Sequence, residues 1–507
     1  MKLSSDNKQH ASQDAIHVTF YRHLRQGMTR RAALHLTIKQ LVIAGTLGYL
    51  AKLPPSRVLA ARLTISRDTV ELTYAQLEAE GYIARAVGRG SFVSYQQNTL
   101  IGRELLASEN AESTLLSERE LSVHGRSLLV AAHAPHTRRS GALTPSLPDL
   151  RLFPIESWLQ LERLAVRQGA EPLLGYADPQ GLVELRAEII EYLRRERGVK
   201  ASADQVIVVT SSQQALSLCT QVLFNPGDRV FVEEPGYQGA KKLAQSAGLI
   251  THPIAVDQSG MDIDALIQTE EGGRGVYITA SHHYPLGHSL SIERRLKLLA
   301  WAQHEKAWII EDDYDSEFNY NGLTTASLQG LDQYQRTLYI GTFSKTLFPG
   351  LRIGFLIVPQ ALIKPMVAAK QFQDGYTSAL PQMTLFKCLS GDFYAEHLRN
   401  MRKIYQARLE ILHAAVHQYL GTWTQPRLPQ GGLQLVCPLV DAATERRLIH
   451  AAEAQGMKIY GLIDFYTNSP TKGALVFGFA AYTPDEIVKF IKRLSSIFSE
   501  LSAPASE

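Results

Sequence analysis

Between Gln205 and Lys345, short apolar runs alternate with helix-patterned segments, and this alternation restricts the fold more than any other feature of the chain. "QVIVV" reads as a buried strand and "SQQALSLCTQVLF" as a helix. "DRVFVEEPGY" and "GVYITASHHYP" read as strands running into loops, "RRLKLLAWAQHE" as a helix, and "AWIIEDDYD" and "TLYIGTFSK" as further strands. Strands alternating with helices along this stretch predict an α/β domain with a largely parallel sheet. Ligands of such sheets sit beyond the carboxyl ends of the strands, and the polar residues of this chain gather there.

Ser212 and Gln213 open a helix directly after a strand, where free backbone N–H groups and the helix dipole favour a phosphate. Tyr237 follows a strand end and can stack on a planar ring. "IIEDDYDSEF" places acids and Tyr314 after an apolar strand. A carboxylate there can pair with a protonated ring nitrogen, and a phenol can donate to a ring oxygen. The competing reading of this acidic run is a divalent metal site, but the run holds no histidine, and His282 and His283 nearby lack metal-like spacing. Lys345 follows the last strand. It is a surface lysine, a phosphate clamp or an amine that forms Schiff bases from a partly desolvated pocket. Arg352 can return to the same phosphate in bidentate fashion. Phosphate binder, ring stacker, carboxylate, phenol, lysine and arginine in this order describe a pyridoxal phosphate site.

The front of the chain has a different character. Residues 1–95 carry 13 Lys+Arg against 6 Asp+Glu, whereas the remainder carries 39 against 43. A basic first fifth on a mildly acidic body predicts a polyanionic partner for the front. Leu34, Ile38, Leu41 and Val42 recur at helical spacing. "SRVLAARL" reads as a short helix with Ser56 as its N-cap. "SRDTVELTYAQLEAEGY" reads as a helix capped by Ser66, with Val70, Tyr74 and Leu77 on one face. "YIARAVGRGSFVS" reads as two strands around a Gly-Arg-Gly tip. This order is that of a winged helix-turn-helix. It directs Arg67 and Thr69 at the major groove of double-stranded DNA, Arg57 at a phosphate, and Arg89, beside Gly90, at a minor groove.

Residues 96–118 are polar, without aromatics or sustained periodicity, and are expected to link a front domain (1–95) to a body (119–507). No apolar run is long enough to span a bilayer, and the polar start predicts no secretory signal. Three widely spaced cysteines fit a reducing, cytoplasmic setting.

The stretch "LPPSRVLAARLTISRDTVELTYAQLEAEGYIARAVGRGSFV" resembles the GntR family of bacterial regulators. Residues 120–500 resemble the fold-type I aminotransferases through "EEPGY", "EDDYD" and the lysine–arginine signature of "SKTLFPGLRIG". Together with "SLPDLRLFP" and "GYADPQGL", both halves resemble the MocR/GabR (PdxR-like) group of GntR regulators. The resemblance implies Lys345 as the lysine bound to pyridoxal phosphate, Asp312 as partner of the pyridine nitrogen, Tyr314 at the ring hydroxyl and Tyr237 stacked on the ring. It also implies Ser212, Gln213, Ser344 and Arg352 at the phosphate. Tyr176 would reach the phosphate of a neighbouring subunit, which implies a domain-swapped homodimer with shared sites. For the front it implies Arg57, Ser66, Arg67, Thr69, Arg89 and Gly90 at DNA.

Three positions depart from the aminotransferase pattern. Ser211 stands where glycine is usual, which predicts strain if its φ is positive. Tyr284 stands where many catalysts carry asparagine, and Val476 where they carry the arginine that clamps a substrate carboxylate. These departures favour a regulator that senses pyridoxal phosphate, or an amine or amino acid joined to it, over a working aminotransferase with an accessory DNA module. A third reading is a DNA-binding protein whose body has lost the cofactor.

Overall fold

The computed structural model describes residues 3–86, 88–96, 121–132, 143–270, 272–322, 325–468, 470 and 472–502. The chain divides into two units, residues 1–120 and 121–507. Apart from Gln96, the expected linker lies outside the described residues.

The first unit consists of helices α1 (Leu3–Arg25), α2 (Arg30–Ile43), α3 (Ser56–Leu63) and α4 (Arg67–Ala79), followed by a hairpin of β1 (Ile83–Ala86) and β2 (Gly90–Val93). Its core is the helical stripe expected from the sequence, with Leu34, Ile38, Val70, Tyr74 and Leu77 all buried. Each such side chain contributes about 1.5–3 kcal/mol of transfer free energy. The α1 helix was not foreseen, because it is mostly polar; its fully buried Ile16 and Phe20 lie one turn apart. Ser56 is not a cap. Pro55 holds the N-cap position of α3, and Ser56 is its first helical residue, where its hydroxyl bonds the Glu71 carboxylate and lowers the Glu71 pKa. Thr64, in the left-handed region at φ 55°, ends α3 sharply. Ser66 then caps α4 by accepting from the Thr69 N–H at 3.1 Å. Tyr74 donates to the Pro54 carbonyl at 2.8 Å and ties α4 to the entry of α3.

The second unit is built on an eight-stranded sheet. Its strands are β3 (Val206–Val209), β4 (Arg229–Glu234), β5 (Ile250–Asp257), β6 (Gly260–Met261), β7 (Gly275–Ile278), β8 (Trp308–Asp313), β9 (Thr337–Thr342) and β10 (Gly354–Ile357). The order across the sheet is β3-β10-β9-β8-β7-β4-β5-β6. Strands β9, β8, β7, β4 and β5 are mutually parallel. β10 runs antiparallel to both its neighbours, because residues 343–353 contain no helix long enough for a parallel crossover. Helices α5 (Ser212–Leu223) and α6 (Gln238–Ser246) follow β3 and β4. A second, three-stranded antiparallel sheet in the order β11-β13-β12 comprises β11 (Gln434–Leu439), β12 (Tyr460–Gly461) and β13 (Gly473–Gly478). Among the described residues no helix is long and apolar enough to cross a membrane.

Candidate functional site

Sheet register explains how residues far apart in sequence meet. Gly354, at the start of β10, pairs with Val209 at the end of β3 and with Thr342 at the end of β9. The segments that carry Ser211 to Gln213, Ser344 to Lys345 and Arg352 therefore leave the sheet along one edge. In the parallel strands, β8 delivers Asp312 and β4 delivers Tyr237 to the same side.

Lys345 donates from Nζ to the carbonyl of Ser146 at 2.9 Å. Burial pushes its amine below the usual lysine range, while the charges of Asp315 and Asp312 pull it back. Asp312 is 5% exposed. Burial raises its carboxyl to about 7, against the hydrogen bond from Tyr277, whose hydroxyl donates to Oδ2 at 2.7 Å. The other oxygen, Oδ1, is buried without a hydrogen-bond partner. Such orphaned acceptors are rare and costly, and this one suits an N–H donor supplied by a ligand.

Tyr237 accepts from Gln213 Nε2 at 2.9 Å, so the loop after β4 and the start of α5 are joined. Ser212 is the first residue of α5; the cap is Ser211, which accepts from the Gln214 N–H at 3.2 Å. The expected strain at Ser211 is absent. Its φ is −172°, ordinary extended backbone, so the serine replaces glycine without conformational penalty and adds a cap. The Ser344 N–H donates to Thr342 Oγ1 at 3.2 Å, which fixes the turn before Lys345. Arg352 is exposed and left-handed at φ 53°. Such a conformation costs a non-glycine residue about 1–3 kcal/mol and clusters at functional sites.

Tyr314 bonds His282 Nδ1 at 3.2 Å. Tyr284 is the hub of an aromatic group, edge-on to Tyr314 at 5.5 Å, to Phe465 at 5.3 Å and to Tyr237 at 6.0 Å. Val476 is fully buried in β13 opposite Val436 and Tyr460, and packs with Leu462, Phe465 and Ala474. Arg427 is exposed and lines a cleft of about 1580 Å³ that also meets His282, Asp315 and Gln434, but not Lys345, Asp312 or Tyr237. This cleft is thus not where the lysine chemistry lies. Tyr176 is 95% exposed, edge-on to Tyr376 at 6.0 Å, and its own chain does not bury it.

Sequence reasoning assigned no role to Ser146, Tyr277, His282 or Gln434. Ser146 supplies the carbonyl that Lys345 meets, is itself left-handed at φ 56°, and donates to Gln434 Oε1 at 2.6 Å. Tyr277 carried a signal in "GVYI", since a tyrosine in a strand buried on both faces needs a partner for its hydroxyl.

In the first unit Arg57, Ser66, Arg67, Arg89 and Gly90 are exposed and Thr69 is half-buried. The Ser66 and Thr69 hydroxyls meet at 2.7 Å, so both are engaged in the cap. Arg89 lies between Gly88 (φ 76°) and Gly90 (φ 104°), which give the hairpin tip the left-handed turn that a side chain would resist.

Comparison with known proteins agrees with this division. The model of the gntR family of bacterial regulatory proteins matches residues 31–93, and that of aminotransferase class I and II matches residues 146–460. The chain is 34% identical to the probable rhizopine catabolism regulatory protein MocR of Rhizobium meliloti, over 93% of this chain and 94% of that one. It is 28% identical to the pyridoxine biosynthesis transcriptional regulator PdxR of Corynebacterium glutamicum, over 91% and 94%. Among solved structures it resembles kynurenine aminotransferase of Pyrococcus horikoshii, with a TM-score of 0.68 and 26% identity over 79% of this chain and 100% of that one. It also resembles the α-aminoadipate aminotransferase LysN of Thermus thermophilus, with a TM-score of 0.66 and 25% identity over 72% and 93%. A regulator-like first unit, an aminotransferase-like second unit and end-to-end similarity to MocR lead to one conclusion: the chain belongs to the MocR/GabR-type GntR regulators.

Proposed function

We propose that the protein is a pyridoxal phosphate-dependent, DNA-binding transcriptional regulator that uses Lys345 to sense the cofactor, or an amine or amino acid joined to it. The observation that carries the reading is the buried, donor-less Oδ1 of Asp312 in the same site as the desolvated amine of Lys345. Asp312 Oδ1 would accept from the protonated pyridine nitrogen of the cofactor.

In this reading Tyr237 stacks on the ring and Tyr314 meets its hydroxyl. Ser212, Gln213, Ser344 and Arg352 hold the phosphate, at a helix start where backbone N–H groups favour an anion. When bound, the cofactor supplies an aldehyde that primary amines attack and a ring that withdraws electrons. Lys345 supplies the amine. Burial disfavours the charged form and so favours the neutral, nucleophilic amine, and the Ser146 carbonyl orients it.

Sensing is favoured over turnover by the surroundings of Tyr284 and Val476, which are aromatic and aliphatic. A carboxylate substrate gains no cationic clamp from these side chains. The exposed Tyr176 suits completion of a partner subunit's phosphate site in a homodimer with exchanged elements. In the first unit Arg67 and Thr69 face bases, Arg57 a phosphate and Arg89 a minor groove, with Ser66 and Gly90 shaping these two contacts. The regulated genes belong to vitamin B6, amine or amino acid metabolism.

The test is DNase footprinting of the DNA upstream of the protein's own gene, with and without pyridoxal phosphate. A footprint that changes with the cofactor supports the reading. An unchanged footprint, with steady product release from an amino donor and a 2-oxo acid, supports an aminotransferase instead.

A further inference from the structure

His282 belongs to none of the roles above, yet it is buried beside the candidate cofactor site. The ring is 9% exposed and its neighbour Asp315 is 1% exposed. One ring nitrogen serves two oxygens: Nδ1 lies 2.9 Å from Asp315 Oδ1 and 3.2 Å from Tyr314 Oη. A carboxylate only accepts, so the hydrogen between His282 and Asp315 sits on Nδ1. Tyr314 then accepts from the same N–H, and its own O–H is left to donate elsewhere. The other nitrogen, Nε2, is buried with no partner.

The ring is also clamped. Gly287 (φ 75°) and Gly432 (φ 84°) adopt backbone that favours glycine, and a Cβ on them would lie 3.1 Å from Nε2 and 2.0 Å from Cε1 of His282. Gly432 is held in turn, donating to the Phe318 carbonyl at 2.8 Å and accepting from the Tyr320 hydroxyl at 2.7 Å. Two glycines thus leave room for the imidazole, with Asp315 keeping a hydrogen on Nδ1.

We infer that His282 is a positioning residue: through its Nδ1–H, oriented by Asp315, it holds the Tyr314 phenol as an acceptor and so directs the Tyr314 O–H to the oxygen of the cofactor ring. The inference rests on the reading of Tyr314 given under Proposed function. A merely space-filling ring would need no N–H at this point, and that is the difference the experiment addresses.

The full-length protein is titrated with pyridoxal phosphate, and both the dissociation constant and the position of the visible absorption band are read. His282→Phe keeps a ring without the donor and is expected to weaken binding about tenfold, the worth of one buried hydrogen bond, and to move the band. His282→Asn places an amide N–H near the Nδ1 position and is expected to stay within about threefold of wild type. His282→Gln, which reaches the Nε2 position instead, is expected to behave like His282→Phe and serves if the phenylalanine variant does not fold. In a Tyr314→Phe background, His282→Gln is expected to add nothing. Wild-type affinity and band in both His282→Gln and His282→Phe, or effects that add to those of Tyr314→Phe, overturn the inference. If Tyr314→Phe itself changes neither readout, the reading of Tyr314 fails, and the inference with it.

Discussion

The two units place their functional groups in opposite ways. In the winged-helix unit the residues proposed to face DNA lie within a single short stretch, Arg57 to Gly90, mostly on the surface. In the aminotransferase-like unit Ser146, Tyr237, Asp312, Lys345 and Gln434 come from five separate segments, and several are buried and bonded to one another. Exposed cations act through a screened field and their contributions nearly add. Buried groups share partners, so removing one leaves another unsatisfied. Substitutions should therefore be graded and salt-dependent in the first unit and coupled in the second.

The largest expected effect is in the second unit. Lys345→Ala should abolish the visible band formed with pyridoxal phosphate while leaving the far-UV circular dichroism unchanged. Arg67→Ala comes next: DNA affinity should fall about 10- to 100-fold if the guanidinium reads a base. Arg57→Ala should weaken binding to all sequences alike and make the salt dependence shallower by about one unit of log–log slope. If Arg67→Ala instead behaves like Arg57→Ala, both arginines are phosphate contacts and the contrast between base reader and anchor disappears.

Asp312→Asn should lower cofactor affinity about tenfold and should also change the pH dependence of stability. Burial raises the Asp312 carboxyl from 3.8 to about 7. Between these values the folded protein holds a proton that the unfolded chain has released, so this group's contribution to stability falls as pH rises through that window. Asp312→Asn should remove that part of the slope, read as the urea midpoint of cofactor-free protein at a series of pH values. The smallest effect belongs to the first unit. Ser66→Ala should cost about 1 kcal/mol of stability through the lost cap of α4, seen as a lower Tm.

The same contrast explains what the sequence revealed. Local patterns specified the winged helix: apolar spacing marked the core of α2 and α4, and serine and aspartate marked the start of α4. The strand pattern likewise specified the parallel part of the sheet, and Ser212, Gln213, Tyr237, Asp312 and Lys345 near strand ends were visible in advance. What was hidden depended on contacts across long separations. Ser146 meets Lys345 from 199 positions away, and nothing in "SLPD" marks a carbonyl that accepts from an amine. His282 reads as one histidine of a pair until Asp315, Gly287 and Gly432 are folded around it. Ser211 shows the converse. A departure that suggested strain is an ordinary cap once its φ is known.

The central claim is that Lys345 reports to DNA rather than to a product. Fluorescence anisotropy of wild type and Lys345→Ala on labelled DNA from upstream of the protein's own gene, each titrated with pyridoxal phosphate, tests it most directly. The account predicts that the cofactor changes the affinity of wild type for this DNA and leaves that of Lys345→Ala where it was. An equal response of the two proteins to pyridoxal phosphate would contradict it.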